Sequence, residues 1–161
     1  MVQVDKVTPC LWFDGQARQA AEFYCSLLPD SRIIEVEAAA ADYPAGRQGD
    51  ELVVFFVLGG RAFMGLNGGP HFKFNEAVSF QIECDDQAEV DRLWTALTAD
   101  GGQESQCGWC KDRFGVSWQI TPRRLTAYMA DADRAKAGRV MQAMMGMKKI
   151  VIAELDAAAA G

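Results

Sequence analysis

Chemistry in this chain has few places to start. His71 is the single imidazole in 161 residues. A Ser-His-Asp arrangement would have to run through it alone, and no site needing two histidines can be assembled within one chain. His71 follows Pro70 in a linker, where an imidazole is either a general base or, more often, a surface residue. Cys107-Gly-Trp-Cys110 has the C-x-x-C spacing of redox pairs and of half a zinc shell. A redox pair wants a helix N-terminus to depress its thiol pKa, and the flanking residues here read as extended, so two ordinary thiols are the better reading. Lys111, Asp112 and Arg113 could draw an anion or form a solvated turn. Strand alternation is more informative. Ser79, Gln81 and Glu83 point one way, while Val78, Phe80, Ile82 and Cys84 point the other. Further on, Ser117, Gln119 and Thr121 oppose Val116, Trp118 and Ile120. If the apolar rows pack on helices, the polar rows present hydroxyls, two amides and one carboxylate, Glu83, able to serve as a general base.

Composition bounds what these groups can serve. Half the residues are apolar, enough for a sizeable core, and the net charge of −6 comes with no basic stripe, so nucleic acid is not an expected partner. The longest apolar run, Leu52–Leu58, is far short of the roughly 20 residues a membrane span needs. The opening MVQVDKV lacks the pattern of a signal peptide. Five cysteines, an odd number, suit reduced thiols and a cytoplasmic setting.

The elements that must position the candidate groups repeat. Val7–Phe13 reads as a strand. Ala17, Ala20, Ala21, Tyr24, Leu27 and Leu28 give a helical stripe. Three further strands follow over Arg32–Glu37, Leu52–Leu58 and Arg61–Asn67, the last two joined by a Gly59-Gly60 turn. The order then recurs: strand Ala77–Cys84, a helix with Val90, Leu93, Trp94 and Leu97 on its apolar face, then short strands to Thr121. Asp14-x-Gln16-Ala17 returns as Asp85-x-Gln87-Ala88. Two βαβββ halves, about 5–69 and 76–122, imply internal duplication in an α+β domain. Beyond Pro122 the composition turns helical and rich in methionine. Residues 123–161 read as a C-terminal helical extension, with Met141, Met144, Met145 and Met147 packing within the chain or across a dimer.

Several motifs carry a family likeness: Thr8-Pro-Cys-Leu-Trp-Phe-Asp-Gly15, Leu66-Asn-Gly-Gly-Pro70, Phe72-Lys-Phe74, Cys107-Gly-Trp109 through Lys111-Asp-Arg-Phe-Gly115 to Trp118-Gln-Ile120, and Val140-Met-Gln-Ala-Met144 with Lys148-Lys-Ile150. The chain resembles the PhnB-like, or demethylubiquinone methyltransferase-like, branch of the vicinal-oxygen-chelate (glyoxalase/bleomycin-resistance) superfamily. The resemblance implies that the two repeats form a curved sheet of that type, and that the protein is a homodimer. It also implies four metal-ligand positions on the concave side in the catalytic relatives. Aligned by motif, these fall on Pro9, Met64 or Gly65, Ser79 and Gln119. None is His, Asp or Glu, so no metal is expected. A concave face holding Ser79 and Gln119 would also hold Gln81, Glu83 and Ser117, with Leu11 and Phe13 as an apolar wall from the first half. The expected role is metal-independent binding of an unidentified small molecule, with no cofactor. The alternative is an enzyme using Glu83 as base. S-adenosylmethionine has no evident site, because Gly65-Leu-Asn-Gly68-Gly69 runs into Pro70 rather than into a helix.

Overall fold

The computed structural model describes residues 6–161, so the start of the first repeat at residue 5 lies outside the described residues. The chain divides into two compact units, the first ending at Phe74 and the second spanning Asn75–Gly161. The first contains β1 (Cys10–Phe13), α1 (Ala17–Leu27), β2 (Arg32–Ala38), β3 (Glu51–Leu58) and β4 (Arg61–Asn67). The second repeats the order with β5 (Ser79–Cys84), α2 (Gln87–Thr98), β6 (Gln103–Glu104), β7 (Trp109–Lys111) and β8 (Ser117–Pro122). Each unit holds a four-stranded sheet in the same arrangement, β1-β4-β3-β2 and β5-β8-β7-β6. In both, the strand before the helix pairs in parallel with the last strand, and the other pairs are antiparallel. The duplicated α+β, βαβββ reading is the architecture observed.

The helices form where their stripes predict. Ala17, Ala20, Ala21, Tyr24 and Leu27 are the buried side of α1, and Val90, Leu93, Trp94 and Leu97 that of α2. The second helix is capped at both ends of its first turn. Asp86 accepts from the Glu89 amide at 2.9 Å, and Glu89 accepts from the Asp85 amide at 2.7 Å. This reciprocal cap satisfies amide groups that the helix itself cannot.

Three helices close the chain: α3 (Arg123–Met129), α4 (Arg134–Met145) and α5 (Ile152–Ala160). They gather a core of Leu125, Val140, Met147, Ile150 and Leu155, with Met129 and Met144 packed against it. The extension is fastened to the second unit through backbone groups. The Cys107 amide donates to the Met147 carbonyl at 2.7 Å, and the Gly108 amide to that of Lys148 at 2.8 Å. Gln87 clasps the segment from the other side: its amide donates to the Ile150 carbonyl at 3.0 Å, and its carbonyl accepts from the Ile152 amide at 2.7 Å. Met141 and Met145, one turn apart on α4, stay about half exposed.

Candidate functional site

In the first unit, α1 covers one face of the sheet and the other is left to the strands. Gly65 marks the covered face, since a Cβ there would lie 3.1 Å from that of Ala17 and 3.4 Å from the Phe13 ring. Leu11 is the strand partner of Gly65, and both Leu11 and Phe13 are buried. These two side chains therefore pack beneath α1. They are not a wall of the open face, and the sequence reading of them is corrected by one residue. Trp12 and Leu66, partners across β1 and β4, take that place. The same parity puts Cys10 rather than Pro9 on the open face.

A β-bulge adds a further wall. Glu37 pairs with Val53 and Ala38 with Glu51, so Leu52 is the extra residue of β3. Leu52 lines the open side, and Glu51 reaches Arg18 of α1 with hydrogen bonds of 2.6–3.0 Å. Together with Trp12, Leu66 and the loop residues Tyr43, Pro44 and Ala45, Leu52 bounds a cleft of about 770 Å³. Gly68, Pro70 and His71 complete it.

The cleft is built by close backbone approach. The Trp12 indole N–H donates to the Gly69 carbonyl at 2.8 Å, and Phe72 meets the indole edge-on at 4.9 Å between centroids. Gly68 lies flat against the ring: a Cβ there would come within 2.4 Å of it. Gly69 has φ +95°, which glycine adopts without strain. Tyr43 is set by a tight turn in which Tyr43 and Gly46 exchange backbone hydrogen bonds of 3.0 and 3.1 Å. With the indole N–H committed to Gly69, Tyr43 and His71 supply the remaining polar side-chain atoms of the lining. Trp12, Tyr43, Leu52 and Leu66 line this cleft, and the sequence reading named none of them as a candidate. His71, read as a linker surface residue, is exposed yet borders the cleft.

The second unit presents a polar face. Ile82, Cys84, Trp118 and Ile120 are buried, while Gln81 and Glu83 are exposed. Gln119 donates to the Ser79 hydroxyl at 2.9 Å, so these two sequence candidates meet. Ser117 is buried at 2 % exposure, between strand partners Ser79 and Lys111. Glu83 stands further along, half exposed and 3.2 Å from the Arg123 guanidinium, which also pairs with Asp85 at 2.8 Å. Gln81 and Glu83 do not line the small cavity beside Ser117.

Burial pushes the Cys84 and Cys110 thiols up to about 12, so both stay protonated near neutrality. Cys107 sits in a left-handed turn at φ +58° and Cys110 on β7, with no helix N-terminus between them. The donor set likewise does not fit the metal of catalytic relatives. Ser79 and Gln119 bond to one another, and among the described residues no group of three or more His, Cys, Asp or Glu side chains is placed to hold an ion.

The 3-demethylubiquinone-9 3-methyltransferase family profile matches residues 5–121. The chain belongs to that family. Its helical extension lies beyond the matched segment. Among solved structures, the PhnB protein from Bacillus cereus is 30 % identical, with a TM-score of 0.65 over 73 % of this chain and 99 % of that one. The protein PA1353 from Pseudomonas aeruginosa is 26 % identical, with a TM-score of 0.54 over 73 % and 97 %. A glyoxylase/bleomycin resistance protein/dioxygenase domain from Frankia sp. EAN1pec is 12 % identical, with a TM-score of 0.47 over 74 % and 93 %. A search of curated proteins gave no match. No described helix is long and apolar enough to cross a membrane.

Proposed function

We propose that this family member is a metal-independent protein that binds a small, flat, largely apolar molecule in the first unit's cleft and performs no chemistry on it. The observation that carries this reading is the cleft itself. Its size falls within the roughly 300–1,000 Å³ of ordinary ligand sites, and its walls are apolar with a few polar atoms at fixed places. Glu83 lacks the setting of a general base, since it is half exposed and paired with Arg123. A methyl donor finds no support either. The α2 N-terminus is occupied by the carboxylates of Asp86 and Glu89, which would repel an anionic group, and the glycine run at 65–69 leads into no helix.

A fluorescent apolar aromatic probe such as anilinonaphthalene sulfonate, followed by a fragment library in competition with it, tests the reading. Flat aromatic fragments should displace the probe from the intact protein, and S-adenosylmethionine should not. Trp12→Ala should weaken the best fragment by about 1–2 kcal/mol, or about five- to thirtyfold, through loss of the aromatic wall. Equal affinity in wild type and Trp12→Ala would place the ligand elsewhere. Tight binding of S-adenosylmethionine in calorimetry would restore the methyltransferase reading.

The proposal includes a cytoplasmic homodimer. The half-exposed Met141 and Met145 on α4 support an interface, and the free thiols suit a reducing compartment. Sedimentation equilibrium at micromolar concentration should return twice the chain mass of 17.6 kDa. A single-chain mass would remove the dimer from the proposal.

A further inference from the structure

The polar face of the second unit contains a small cavity that the apolar cleft does not explain. The Ser117 hydroxyl is buried and has no hydrogen-bond partner among the described residues. An unpaired buried hydroxyl is costly, and such groups in folded proteins point to something that binds them. A cavity of about 120 Å³ opens against Ser117, with Gln103, Glu104, Trp109 and Lys111 on its walls, the Glu104 carboxylate being engaged by the Trp94 indole at 2.9 Å and by Lys148 at 3.5 Å. Glu76, from the segment ahead of β5, closes it by pairing its carboxylate with the Lys111 ammonium. Glu76 is otherwise solvent-exposed, and its hydrogen bond to Lys111 holds its carboxyl below the usual range.

We propose that this cavity is a carboxylate-binding subsite, with Glu76 as a tethered stand-in for the carboxylate of a small molecule. The incoming carboxylate takes over the Lys111 ammonium and accepts from the Ser117 hydroxyl, and Glu76 moves into solvent. Gln103 offers an amide donor at the same wall. The volume equals that of about four waters, so an acetate- or propionate-sized group fits whole and a larger molecule enters carboxylate first. This cavity and the apolar cleft share no lining residue.

The test uses full-length ¹⁵N-labelled protein titrated with sodium acetate, and separately with neutral acetamide, at constant ionic strength. Acetate alone should shift the amides of Gln103, Lys111 and Ser117. Glu76→Gln, which removes the competing charge of an exposed ion pair, should tighten acetate by about fivefold. Adding Ser117→Ala to that variant should weaken acetate by about fivefold, without unfolding, because only an unpaired hydroxyl is lost. Lys111→Met should abolish the response. The proposal is overturned if Glu76→Gln responds to acetate and acetamide alike, if it responds to neither, or if Ser117→Ala leaves its acetate affinity unchanged. Glu76→Ala serves as a second means of vacating the cavity.

Discussion

Replacing Asp112 by alanine is expected to lower the unfolding free energy by about 3–5 kcal/mol. Asp112 is a carboxylate at 2 % exposure that gathers three donors. Its Oδ1 accepts from the Phe114 amide at 2.8 Å and the Val116 amide at 3.0 Å. Its Oδ2 accepts from the Trp118 indole at 2.8 Å. The sequence permits this because Gly115, at φ +90°, turns the chain back within the hairpin. The same turn returns the Asp112 amide to the Val116 carbonyl at 2.9 Å. Alanine would leave those donors facing a void, and each unsatisfied buried donor costs about 1–3 kcal/mol. The relief of removing a buried charge offsets part of that sum. Trp118→Phe, which removes one donor and keeps the others, should cost distinctly less. Urea unfolding followed by circular dichroism decides the matter, and an Asp112→Ala protein within about 1 kcal/mol of wild type would contradict the assigned role.

Gly68→Ala should disable the apolar cleft. The new methyl carbon would sit 2.4 Å from the Trp12 ring, well inside contact distance, so the indole has to move. Moving it breaks the 2.8 Å bond to the Gly69 carbonyl and the edge contact with Phe72. Overpacking of this kind costs about 1–3 kcal/mol of stability. Displacing the wall should also reduce affinity for an aromatic fragment by about tenfold or more. Gly138→Ala is the matched control. Gly138 lies inside α4, and an added methyl there would meet nothing within 4 Å, so alanine should stabilise the helix by about 0.5–1 kcal/mol and leave the cleft alone. Unchanged fragment affinity in Gly68→Ala would mean that the indole is not held as described.

The contrast between the halves shows what sequence can reveal. In β5 and β8 polar and apolar residues alternate strictly, so the alternation alone assigns Ser79, Gln119, Ile82 and Ile120 to faces, and they lie there. In β1 both faces are apolar: Cys10 and Trp12 on one, Leu11 and Phe13 on the other. Alternation then fixes the period but not which row meets the helix. Pro9, an anchor that rests on family likeness, sets the parity one residue out. The loop wall of the cleft is illegible for a different reason. Tyr43, Pro44 and Ala45 reach it through an isolated bridge to Gly46, and no periodicity encodes such a turn. In the helical extension, Asp131 and Asp133 both precede the helical spacing and either could cap it; Asp133 is the one that caps α4, through the Lys136 amide at 3.0 Å. The extension's attachment by Gln87 is not readable, because that side chain acts on backbone atoms more than sixty residues away.

Leu52 gives this sheet a way to change its cleft by length as well as by substitution. As the extra residue of a bulge, it has no partner of its own on β2. Deleting it would restore an unbroken ladder between Glu37 opposite Val53 and Ala38 opposite Glu51, with Glu51 still directed towards Arg18. The strands would keep their register while the cleft lost one wall. If the cleft binds a ligand as proposed, loss or gain of one residue here would alter its wall more than the strand register, so chain length as well as side-chain identity would set what it takes.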